Sequence, residues 1–184
     1  MEITIEEIRP YLQSLSAKQK EKLLESMLKK DKLLMEQLYF KHLSSEEDLE
    51  ERYAEFESQL KSALFSRYRA HVDELEIAKA IGEAKKVINQ FTKIDKRPEK
   101  EADLLMIILK NIFDNVDNPA RLGTCWTKYD LAVTQTLKRL ITIVRTKLHE
   151  DYLLDYKPKI DRYLKRLHHS SSFNDFVYDL PTAL

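Results

Sequence analysis

The run Ala102-Asp103-Leu104-Leu105-Met106-Ile107-Ile108-Leu109-Lys110-Asn111-Ile112-Phe113 sets the fold class, and the rest of the chain is read outward from it. Ala102, Leu105, Leu109, Ile112, Phe113 and Val116 form one stripe at helical spacing. Leu104, Ile107 and Ile108 fall on the opposite side of the same wheel. A helix apolar all round must be covered on more than one side, and this run is much too short to cross a bilayer. It is therefore read as the central helix of a soluble helical domain.

Bulk properties agree. Charged residues make up 34% of the 184 residues and hydrophobic residues 43%, with only two glycines and five prolines. Such a shortage of turn-formers argues against an all-β chain. The length supports one domain with a real core, without disulfides or a structural metal. Lys plus Arg equals Asp plus Glu at 31 each, so the global balance marks neither a nucleic-acid binder nor a membrane-surface protein. A single cysteine, Cys125, and an acidic start, Met-Glu-Ile-Thr-Ile-Glu-Glu, point to the cytoplasm.

Toward the N-terminus, Thr4-Ile5-Glu6-Glu7 and Ser16-Ala17-Lys18-Gln19 both have capping-box spacing, so two helices should start there and form a hairpin. Pro10 is expected to kink or break the first before Tyr11. Lys29-Lys30-Asp31-Lys32 either separates two helices or rides on one. Ser44-Ser45-Glu46-Glu47-Asp48 opens a helix with Leu49, Tyr53, Phe56, Leu60, Ala63 and Leu64 along its seam. Ile77, Ile81, Ala84, Ile88 and Phe91 repeat the four-three step. Gly82 lies inside that helix, and close helix packing would account for it.

Beyond the turn at Asp95-Lys96-Arg97, Pro98 stands at a first helical position and launches the central helix. After it, Trp126, Tyr129, Val133, Leu137, Leu140, Ile141, Val144 and Leu148 form a broad stripe that should pack directly on the central helix. Pro158 should start another helix, with Ile160, Tyr163, Leu164 and Leu167 inward. These elements predict an all-α, single-domain irregular bundle of seven to nine helices, with a short helical-repeat array as the alternative. Residues 1–169 form the helical domain in this reading. Residues 170–184 form an apolar tail, carrying Phe173, Phe176, Val177, Tyr178 and Leu180, that docks back on it.

Ile77-Ala78-Lys79-Ala80-Ile81, Phe91, Pro98-Glu99 and Ala102 to Met106, together with the opening Ile8-Arg9-Pro10-Tyr11-Leu12-Gln13-Ser14-Leu15-Ser16, carry a resemblance. In these stretches the chain resembles a family of small bacterial all-helical proteins known as a domain of unknown function. The resemblance implies a bacterial, one-domain helical protein and transfers no site. Where that family has glycine-rich turns, this chain has Leu122-Gly123-Thr124-Cys125 and His168-His169-Ser170.

Candidate chemistry is thin. Arg162 with His168 or His169 has the arginine-to-histidine spacing of helical ribonucleases, where the arginine steadies a phosphate and the histidine moves a proton. The plainer reading is a solvated basic face ending in histidines that suit the negative end of the helix dipole. His42, His71, His149, His168 and His169 show no i,i+4 pair and no Glu-x-x-His, so neither a metal nor another cofactor is expected. From Lys128 to His169 ten Lys or Arg stand against five Asp or Glu. A stripe of Lys138, Arg139, Arg145, Lys147, Lys157, Lys159, Arg162, Lys165 and Arg166 could therefore meet phosphates.

With no catalytic constellation, the expected function is non-enzymatic binding of another protein or of itself, through Phe173, Phe176 and Tyr178 of the tail. Nucleic-acid binding or ribonuclease action by the basic C-terminal helices is the alternative, and no membrane partner is expected.

Overall fold

The computed structural model describes residues 3–65, 74–115, 126–169 and 177–184, the side chains of 65, 115, 126 and 127 excepted. Among these residues the chain is all-α. Its helices are α1 (Ile5–Ser14), α2 (Ala17–Lys30), α3 (Lys32–His42), α4 (Glu46–Phe65), α5 (Glu74–Ile94), α6 (Pro98–Asn115), α7 (Trp126–Thr146) and α8 (Leu153–His169). A 3-10 turn, Glu150–Tyr152, precedes α8. The chain divides into two compact units, Met1–Ser45 and Glu46–Leu184.

In the larger unit α6 runs from Pro98 as its apolar pattern requires. Ala102, Leu104, Leu105, Met106, Ile108, Leu109, Ile112 and Phe113 are all buried. Helices α4, α5 and α7 pack against it, and α8 packs on α7. The seams of the neighbouring helices supply the rest of the core: Phe56, Leu60 and Leu64, then Ile77, Ile81, Ile88 and Phe91, then Val133, Leu137 and Leu140, then Ile160, Tyr163 and Leu167. Phe91, fully buried, meets Tyr53 and Phe56 edge-on at centroid distances of 5.9 and 5.5 Å. Each such side chain contributes roughly 1.5–3 kcal/mol on burial.

Polar side chains fasten the helices to one another. At the α5–α6 corner, Asp95 accepts from the Arg97 backbone N–H (2.9 Å), from Nε (2.9 and 3.1 Å) and from Nη2 (2.7 Å). Arg97 Nη1 reaches Glu50 on α4 at 2.7 Å, and Lys100 Nζ reaches the other oxygen of Glu50 at 2.8 Å. These two cations, Lys100 first, hold the Glu50 carboxyl below its ordinary range. Asp103, a carboxylate within the apolar run of α6, accepts from Tyr156 Oη of α8 at 2.6 Å. Burial and that hydrogen bond push the Tyr156 phenol well above its ordinary value.

Residues 177–184 lie back on this unit. Val177 and Leu180 are buried in its core. Lys138 Nζ pairs with Asp179 at 3.1 Å, Arg145 Nη2 donates to Ala183 O at 3.1 Å, and the Leu184 N–H donates to Asp161 at 2.7 Å. That last bond, before Lys157, sets Asp161 below the usual carboxylate range.

Three local expectations are corrected. Helix α1 continues through Pro10, so the broken turn offered as one alternative there is absent, and α8 starts at Leu153, so that Pro158 lies inside it. Each proline is the sixth residue of its helix and withholds one hydrogen bond from the carbonyl four residues earlier, on Glu6 or Leu154. Both of those residues are exposed. Gly82, third, is not a close-packing position, because a Cβ built there meets nothing within 4 Å.

The smaller unit is built differently. Capping decides its helices: the Thr4 N–H donates to Glu7 (2.8 Å), the Ser16 N–H to Gln19 (2.8 Å), and the Leu34 N–H to Asp31 (3.0 Å). Asp31 ends α2 and starts α3, so the charged run separates two helices. The packed pair among its described residues is α2 with α3, not the expected hairpin of α1 with α2. None of the residues 3–45 is buried.

Candidate functional site

Arg162, His168 and His169 all lie on α8, and the structure does not bring them together. Seven residues separate Arg162 from His169, about 10 Å along the axis, and His168 points roughly 120° away from both. Arg162 Nη2 pairs with Asp114 of α6 at 2.7 Å. His168 Nε2 lies 3.1 Å from Pro181 O, and His169 Nδ1 lies 2.7 Å from Lys165 O. A carbonyl only accepts, so each of those ring nitrogens carries the hydrogen and donates it. One nitrogen of each of the three side chains is thus engaged in a bond within the unit, and none of the three is bonded to another of the set.

The basic stripe is largely spent in the same way. Lys138, Arg145 and Lys157 hold residues 179–184, with Lys157 Nζ donating to Leu184 O. Arg139 Nη2 meets Glu101 of α6 at 2.7 Å, and its Nη1 donates to Asn89 of α5 at 2.8 Å. Arg166 Nη1 donates to Phe113 O at 2.5 Å and so caps the end of α6. Beside it Phe113 stacks on Tyr163 with centroids 4.5 Å apart and planes at 13°. Lys147, Lys159 and Lys165 remain exposed.

A trough of about 700 Å³ runs beside α7, lined by Lys96, Glu101, Gln135, Lys138, Arg139 and Lys147. Of its cations, Arg139 is balanced by Glu101 and Lys138 by Asp179. Behind it Lys85 Nζ donates to Ala132 O at 3.2 Å, and burial, with Arg139 nearby, pushes its ammonium pKa down to about 8. Among the described residues no group of three or more His, Cys, Asp or Glu could hold a metal ion, and no helix is long and apolar enough to cross a membrane.

Of the tail residues proposed for binding, Tyr178 is 85% exposed, while Phe173 and Phe176, like Cys125 and His71, lie outside the described residues. Tyr178 stands between Val177 and Leu180, both in the core, so this turn is anchored inward with one ring left out.

The broad apolar surface is in the smaller unit, where sequence reading looked for a hairpin. Ile3, Ile5, Ile8 and Tyr11 of the α1 segment, Leu24 and Met27 of α2, and Met35, Leu38, Tyr39 and Leu43 of the α3 segment are between 39% and 75% exposed. In α1 and α2 they follow a helical stripe; α3 has Leu33, Leu34, Met35, Leu38, Tyr39 and Phe40 distributed around its circumference. The signal was present in the sequence as three helices of 10, 14 and 11 residues, each too short to stand on propensity alone.

No family model, no curated protein and no solved structure matches this chain.

Proposed function

We propose that the protein is a non-enzymatic, cytoplasmic interaction module whose contact surface is its N-terminal unit, residues 3–45. One observation carries this reading: a segment rich in Leu, Ile, Met and Tyr contains three capped helices and not one buried residue. A free-standing stretch of about 40 residues cannot build a sufficient core, and large exposed apolar patches mark interaction sites. In the larger unit Arg162 is tied to Asp114 of α6 and His168 to Pro181 near the end of the chain.

The test is a photo-crosslinking residue placed at Leu24 in the full chain, expressed in its native cell. A covalent product containing a second polypeptide, whether another protein or another copy, is expected. Absence of any polypeptide adduct, or adducts to lipid alone, overturns the proposal.

A further inference from the structure

We infer that the N-terminal unit pairs with the same unit of a second copy, making the protein a two-fold homodimer through α1 to α3. This inference rests on the interaction reading above and names its partner.

Area is the first argument. Ten large apolar side chains of residues 3–43 are exposed by 39% to 75%. At about 150–200 Å² for a large side chain their exposed parts sum to roughly 800–1,000 Å² over the three helices, so that a two-fold interface of the usual ~800 Å² per partner would use most of them. An isologous interface uses one patch twice, so it needs no second surface elsewhere in the molecule.

Charge is the second. Residues 3–45 hold eight Lys or Arg and six Asp or Glu, a near balance that permits self-contact and is poorly suited to an anionic lipid surface or a phosphate backbone. The balance is also divided between helices. In α1, Glu6 and Glu7 outnumber Arg9, whereas α2 carries five lysines against Glu21 and Glu25, with Lys29 and Lys30 in its last turn. A two-fold axis can set the acidic helix of one copy beside the basic helix of the other.

The third argument is α3, which has apolar residues around its circumference and none of them buried. Packing against α2 covers one side of such a helix, and a helix of this kind needs a second cover. An incoming copy supplies it without exposing a further unsatisfied face.

The experiment is sedimentation equilibrium of the purified full chain from about 1 to 100 µM. The expected species has twice the 21.8 kDa chain mass. Leu24→Glu combined with Met27→Glu puts two carboxylates into the patch at side chains that are already exposed, and should weaken pairing by at least about 30-fold, toward monomer. Leu131→Glu, at an exposed leucine of the larger unit, should leave the dimer intact.

Hydrogen exchange of the unsubstituted chain supplies a second measurement that needs no variant. Exchange in α2 and α3 through free monomer should slow about tenfold for a 100-fold rise in concentration, because monomer fraction falls as the square root of total protein. Amides of α5 and α6 should not respond. A chain that stays at monomer mass throughout, a dimer untouched by the paired glutamates, or exchange in α2 and α3 that ignores concentration overturns the inference. If the purified chain is monomeric while the crosslinker at Leu24 captures a different polypeptide, self-pairing fails and the interaction reading stands; if it captures none, both fail.

Discussion

Replacing Asp95 by alanine should destabilise the larger unit more than removal of any exposed charge, by about 3 kcal/mol. The magnitude follows from what the carboxylate holds. Its side chain is 4% exposed, and it accepts from Arg97 through Nε, Nη2 and the backbone N–H, while the Arg97 side chain is itself only 22% exposed. Removing one partner of a buried pair costs roughly 3–5 kcal/mol, since the other charge stays behind. Arg97 keeps Glu50 at 2.7 Å and Glu46 at 3.6 Å, which places the loss at the low end. For a unit of this size that is a fall of roughly 6–12 °C in Tm. Chemical denaturation followed by circular dichroism gives the number directly. Asp95→Asn, which retains an acceptor for the Arg97 N–H, should lose about half as much. A double-mutant cycle with Arg97→Ala should return a coupling of at least about 1.5 kcal/mol. A loss under 1 kcal/mol for Asp95→Ala, with no coupling to Arg97, would show that the corner is held by apolar packing alone and would refute the reasoning.

Further outcomes follow from the same structure. Gly82→Ala should stabilise the chain by about 0.5–1 kcal/mol, because α5 gains a better helix former and the added methyl meets nothing within 4 Å; thermal melts decide it. Lys85, with its pKa lowered to about 8, binds its proton less tightly folded than unfolded, so this group's contribution to stability rises between about pH 8 and 10.5 as the folded state sheds its proton first. Lys85→Met should flatten that rise and, after discounting for the group's partial exposure, add about 1 kcal/mol at pH 7, read from denaturation at the two pH values. Arg162→Ala removes a largely exposed pair with Asp114 and should change stability by less than about 1 kcal/mol, with binding or cleavage of single-stranded RNA no different from the unsubstituted chain in a polarisation or gel assay.

What the sequence made legible was the part of the fold governed by periodicity. The stripes of α5, α6 and α7 could be assigned because each has a long repeat of apolar residues, and the side chains so assigned, Ile77, Ile88, Phe91, Leu105, Leu109 and Leu137 among them, are buried. Caps were readable for a similar reason, being local: Glu7 answers Thr4 and Gln19 answers Ser16 across three residues. Proline was read too strictly. A rule about one lost hydrogen bond does not say whether the rest of the helix can carry the loss, and α1 and α8 both continue past their prolines. Gly82 erred oppositely, toward a packing role where the structure has open space. The fate of the basic stripe was not readable at all, because Arg139 meets Glu101 and Asn89 across 38 and 50 residues, and Arg166 meets Phe113 across 53. Nothing local in a run of lysines and arginines distinguishes a free cation from one already committed to a distant partner.

That last point bears on where function resides. A functional surface requires groups that the fold has left uncommitted, and the two units differ in what they leave. In the larger unit most of the charges that looked available tie α4 to the α5–α6 corner, α7 to α6, or residues 179–184 to α7 and α8, and its apolar seams close on one another. In the smaller unit the polar bonds described include caps and short-range pairs such as Arg9 with Glu6 and Lys29 with Glu25, each within one helix. Its apolar residues are left over. Because folding free energy is a small difference between large terms, three helices with apolar residues at most half-buried gain little to set against the entropy of ordering them. On the reading proposed above, the contact that completes their core is the same contact that gives the unit its role.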